Sequence, residues 1–87
     1  MGRKEREKPV RLAEKLLQVR LGLGLSQTEI VSRMDLGDRL NRDDISKYER
    51  GVREPSLPTL LRYARLARVS TDALIDDEMD LPAKLRK

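Results

Sequence analysis

Polar helix-capping residues and glycines recur along this chain at intervals that leave room only for brief helices. The quartet Ser26-Gln27-Thr28-Glu29, then Asn41, Ser56 and Ser70, each precede an apolar-periodic run, and Gly22, Gly24, Gly37 and Gly51 punctuate the gaps. A Ser or Asn side-chain oxygen ahead of a helix accepts from an N–H of the first turn, and Glu29 at the third position of its helix completes a reciprocal capping box. Glycine past a helix end takes the left-handed stop conformation. No strand alternation, hairpin dipeptide or internal repeat competes with this pattern. The sequence therefore predicts an all-α domain of five short helices.

The core of such a domain has few options. There is no Phe or Trp and there are two Tyr, so Leu, Ile, Val, Ala and Met must fill it. The first helix is expected from Pro9 or Val10 to Leu21, with Leu12, Leu16, Val19 and Leu23 at helical spacing and Ala13, Leu17 and Leu21 beside them. Gly22 and Gly24 are its stop positions. The second follows Ser26, with Ile30, Val31 and Met34 inward. The third runs from about Arg42 to Glu49 or Arg50, with Asn41 as N-cap and Gly51 just past its end. Its apolar stripe is only Ile45 and Tyr48. The fourth, capped by Ser56 with Pro58 in its first turn, turns Leu57, Leu60, Leu61, Ala64 and Ala67 inward and Arg62, Arg65 and Arg68 outward. A fifth, capped by Ser70, packs Leu74 and Ile75. These spans divide the chain into a flexible basic arm (1–8), a helical domain (9–76) and a C-terminal tail (77–87) expected to fray.

Composition removes whole classes of function. The chain has 87 residues, one small domain, and no Cys or His. Disulfides, zinc-finger ligation, thiol chemistry and histidine general bases are excluded. Asp43/Asp44 and Asp76/Asp77 are adjacent carboxylates, but neighbours on a helix point apart, and the first pair sits where a helix dipole favours negative charge. No phosphate loop or calcium loop is present. An enzyme is not expected, nor a cofactor, a metal or a small-molecule ligand. No apolar run approaches the ~18–20 residues of a membrane span, and no secretory leader is seen, so a cytoplasmic protein without a membrane partner is expected. The formal net charge of +4 suits nucleic acid, though it also suits plain solubility.

Taken together, "RLGLGLSQTEI", "ISKYERG" and "REPSLPTLLRYARLARVSTDAL" resemble the lambda-repressor/Cro-like (XRE) helix-turn-helix family, over roughly residues 10–76. The resemblance implies a five-helix DNA-binding domain in which the second helix lies on the DNA backbone and the third enters the major groove. It implies a sequence-specific transcriptional regulator that binds double-stranded DNA, as a homodimer on a palindromic site, through a surface around Leu74, Ile75 and Leu81. The alternative is an antitoxin-like or adaptor module that mainly contacts protein. By position, Gln27 and Thr28 fall at the phosphate-contacting start of the second helix. Asn41, Arg42, Asp43, Ser46 and Lys47 fall at base-reading positions, and Arg50 and Arg53 at phosphate contacts. Arg20 and Glu49 match a structural salt bridge. Two departures stand out. Seventeen residues separate Gln27 from Ile45, a few more than the family pattern, which implies a lengthened turn between helices 2 and 3. Arg68 stands where the family often has Gly. Asp35, Asp38, Asp43 and Asp44 also place carboxylates near the proposed DNA face.

Overall fold

The structure is a computed structural model and describes residues 8–85; apart from Lys8, the expected basic arm lies outside the described residues. Five α-helices follow one another: α1 (Leu12–Gly22), α2 (Gln27–Met34), α3 (Arg42–Glu49), α4 (Leu57–Ala67) and α5 (Thr71–Ile75). The described residues contain no strand. α1 packs against α3, α4 and α5, and α2 against α3 and α4.

Local chemistry explains most of the boundaries. Ser26 accepts from Glu29 N–H at 3.0 Å while the Glu29 carboxylate accepts from Ser26 N–H at 2.8 Å. Asn41 and Asp44 repeat the box at the start of α3, and single caps by Ser56 and Ser70 start α4 and α5. α1 and α3 both end in the paired backbone bonds of a Schellman turn: Leu25 N–H to Arg20 C=O with Gly24 N–H to Leu21 C=O, and Val52 N–H to Lys47 C=O with Gly51 N–H to Tyr48 C=O. Gly24 and Gly51 both have φ +73° there, a conformation in which a Cβ is strained. Gly22 is instead the last helical residue of α1, and a Cβ on it would lie 2.9 Å from Leu85 Cδ1. α4 ends with the same pair of bonds, Val69 N–H to Ala64 C=O and Arg68 N–H to Arg65 C=O, but the left-handed residue is Arg68, φ +58°.

Leu16, Val19, Ile30, Met34, Ile45, Tyr63 and Leu74 are completely buried and form the centre of the core. Several inward expectations are corrected. Leu57 is 81% exposed and Leu61 39%; the buried face of α4 is Thr59, Leu60, Tyr63, Ala64 and Ala67. Tyr63, not a leucine, takes the centre because it lies one turn on from Leu60 and Thr59. Leu21 and Ile75 are exposed. Leu74 and Leu81, expected on a dimer surface, are core residues, because α5 turns Leu74 toward α1 and α4 and the following chain folds back. Arg62 is half-buried rather than outward, and its guanidinium donates to the Met34 carbonyl, closing the C-terminus of α2.

The segment between α2 and α3 is long but ordered by its own leucines. Asp35 takes a left-handed conformation, a 3₁₀ turn spans Gly37–Arg39, and Leu36 and Leu40 on either side of it are buried at 7% and 4% exposure. Two apolar anchors fix the exit from α2 and the entry to α3, so the extra residues lengthen the turn without releasing the pose of the helices.

The chain beyond α5, expected to fray, packs instead across α1. The Asp77 carboxylate accepts from Val10 N–H at 2.9 Å and Arg11 N–H at 3.0 Å. Arg11 returns a bond to the Asp77 carbonyl and an ion pair to Asp80. The Lys15 ammonium, wholly buried, donates to the carbonyls of Ala73, Asp76 and Met79 at 2.7–2.8 Å. α1 has no capping side chain next to it in sequence; Asp77 supplies one from 66 residues away.

Candidate nucleic-acid interface

α3 buries only Ile45 and Tyr48 and leaves the rest of its surface uncovered. Three of its neighbours hold it. Glu49, at its last turn, accepts from Arg20 Nε at 2.6 Å and Arg20 Nη2 at 3.0 Å, a fork-on-fork pair with side chains 14% and 7% exposed. Gln27 Nε2 adds a third bond to Glu49 at 3.1 Å, and Arg20 Nη1 donates to the Leu25 carbonyl. One carboxylate thus joins α1, the start of α2 and the end of α3. The bond to Glu49 raises the Arg20 pKa further above its ordinary value, against the opposing effect of burial. Tyr63 lies close by: burial, then the Glu49 charge, push its hydroxyl pKa upward.

Asp44 fastens the other end. One carboxylate oxygen accepts from Asn41 N–H at 3.1 Å, the other from Arg53 Nη1 at 2.8 Å. Asp44 therefore ties the N-cap of α3 to the loop that follows its C-terminus. Its charge contributes to the raised pKa of Tyr48, second to burial. Sequence reasoning gave Asp44 no such part. The Asn41-x-x-Asp44 spacing is legible as a capping box, but nothing in the sequence links Asp44 to Arg53.

The proposed contact residues fall at the start of α2, along α3 and its two ends, and, for Arg53, on the exposed loop after it. Gln27 and Thr28 begin α2, half-buried and exposed respectively. On α3, Arg42 and Asp43 are exposed, Ser46 and Lys47 half-buried, and Arg50 exposed just past the end. Asn41 is spent as the cap, its side-chain oxygen accepting from Asp44 N–H. Lys47 Nζ lies 3.2 Å from Asp43 Oδ2, and Arg50 Nε bonds the Ser46 hydroxyl. Arg42 alone of these cations makes no hydrogen bond or ion pair among the described residues. It stands at the first helical position, where the positive end of the helix dipole disfavours a cation. Asp43 and Asp44 in the same turn offset that cost. Among the described residues, nothing in the fold therefore offsets the cost of a cation at this position except those two carboxylates.

No group of His, Cys, Asp or Glu among the described residues could hold a metal ion, and none of the described helices is long and apolar enough to cross a membrane. The helix-turn-helix family model matches residues 16–74. The HTH-type transcriptional regulator ImmR of Bacillus subtilis (strain 168) is 34% identical over 64 residues, 74% of this chain and 47% of that protein, so the chain spans about half the length of this relative. No solved structure matches the chain at a significant level. The family is one of non-enzymatic transcription regulators. With five helices in this order, α2 and α3 joined by the turn, and the match covering both, the chain belongs to the XRE-type helix-turn-helix family.

Proposed function

We propose that the protein is a sequence-specific, double-stranded-DNA-binding regulator of transcription, with α3 in the major groove and the N-terminus of α2 against the phosphate backbone. The observation that carries this reading is Arg42: an exposed guanidinium, unpaired among the described residues, at the first position of a helix held at both ends. Arginine in that place can meet guanine O6 and N7 with two bonds. Lys47 is a second candidate base reader. Gln27, Thr28, Arg50 and Arg53 are assigned to phosphate, which fixes register but carries no sequence information.

One module of this size offers few base contacts, so the reading includes a homodimer on a two-fold site. Leu57 of α4 and Ile75 of α5, both exposed, line one shared cleft, and with Ile75 kept from the expected surface, Leu57 replaces Leu74 and Leu81 on the candidate dimer surface.

Selection from a random duplex library at two salt concentrations tests the proposal. The wild type should enrich a motif with two related half-sites, and the double variant Arg42→Ala, Lys47→Ala should relax it. No enrichment, with weak binding that vanishes at moderate salt, would overturn it and favour the protein-binding alternative.

A further inference from the structure

The cations on and just after α3 are not equally available. Among the described residues Arg42 and Arg50 have no carboxylate partner, whereas Lys47 is paired with Asp43 and Arg53 with Asp44. The two carboxylates differ in what else they do. Asp44 is part of the α3 capping box, and its side chain is 14% exposed. Asp43 makes no capping bond; its side chain is 70% exposed and its one ion pair among the described residues is with Lys47. Its remaining structural part is the general one of a negative charge in a first helical turn.

We infer that Asp43 is a selectivity residue: it lowers affinity for arbitrary DNA by withholding Lys47 and by repelling phosphate and base acceptors, and releases that penalty only on a site that gives Asp43 a donor of its own. This rests on the reading of α3 as the recognition helix. The physical argument has two halves. On arbitrary DNA the dominant attraction is between cations and phosphates. A Lys47 already neutralised one turn away contributes little to it, and an exposed carboxylate beside it opposes it. The pair is also weak, because both partners are solvent-accessible. A sequence that offers a cytosine N4 amino group to Asp43 and a guanine edge to Lys47 replaces one exposed ion pair with two base contacts. Any other sequence must either keep the pair closed or strand Asp43 among acceptors. Specificity then comes from a repulsive element as well as attractive ones.

Asp43→Asn tests this, since it removes the charge with almost no change of shape and leaves Asn41, Asp44 and the capping box intact. Binding is measured by fluorescence anisotropy on the duplex selected with wild type and on a random duplex, across a salt series, with thermal unfolding as a check on the fold. Random-duplex affinity should rise about fivefold, the selected-to-random ratio should fall by at least that factor, and the salt slope on random DNA should steepen by about 0.9, one extra phosphate contact. Adding Lys47→Gln should return the slope to the wild-type value, which a merely structural part for Asp43 would not produce. In a repeated selection, the preference at one position of each half-site should move from cytosine toward adenine, which asparagine pairs with two bonds. If wild type prefers its selected duplex and Asp43→Asn leaves both ratio and slope unchanged, the inference is wrong while the regulator reading stands. If wild type binds all duplexes alike, the regulator reading fails and takes the inference with it.

Discussion

Two buried or strained residues show how closely this small core is drawn. Tyr63 is completely buried, and its hydroxyl has no hydrogen-bond partner among the described residues. An unsatisfied buried polar group is a net cost. Tyr63→Phe should therefore stabilise the domain by about 1 kcal/mol, read as a higher denaturation midpoint; a loss of stability would show that the hydroxyl is paired in solution. Arg68 carries the left-handed turn that ends α4, with both bonds of the glycine form. Arg68→Gly relieves the Cβ contact but frees the unfolded chain, and the first effect should win by about 0.5–1 kcal/mol. Thermal unfolding with unchanged helicity measures it. The position was legible in the sequence as a departure from the family pattern. Tyr63 was not, because only a continuous count from Leu60 separates the buried tyrosine from the exposed leucines around it.

Among the elements, α3 matters most, and its attachment is concentrated in few groups. Its termini were readable: Asn41 and Gly51 mark them by type alone, and the resemblance pointed to Arg20 and Glu49 as partners. The participation of Gln27 and the Asp44–Arg53 pair could not be read, since partners 22 and nine residues apart meet only through tertiary packing. The same holds for the turn before α3, where the spacing announced extra residues but not that Leu36 and Leu40 would anchor them. Glu49→Ala leaves the largely buried Arg20 without its carboxylate and should cost about 2–3 kcal/mol. Urea unfolding should show a lower midpoint with an unchanged slope, and DNA affinity should fall even though Glu49 itself is not assigned to DNA. Stability equal to wild type would mean that the network does not hold α3.

At the scale of the whole molecule, the two ends of the described chain are joined. The sequence hid this, because Lys15 and Asp77 look like ordinary charged surface residues until the fold brings them against backbone. The backbone donors of Val10 and Arg11 hold the Asp77 carboxyl below its ordinary pKa. A carboxyl whose folded pKa is lowered stabilises the fold above the unfolded value, about 3.9, and loses that contribution as pH falls through the lowered one. The thermal midpoint of Asp77→Asn should therefore lie below wild type at pH 7, and the two should converge under more acidic conditions. A gap that persists there would assign the loss to packing instead of charge.

Lys15 carries a consequence for where this domain can be cut. The family match begins at residue 16, one residue after the ammonium that gathers three carbonyls, and stops at residue 74, before Asp76 and Met79, which supply two of them. A gene fragment trimmed to that match keeps every residue proposed to meet DNA. It discards Leu12 and Leu81 from the core and leaves the Ala73 carbonyl without its donor. The stretch the family model matches is thus shorter at both ends than the set of residues this core and its buried ammonium use.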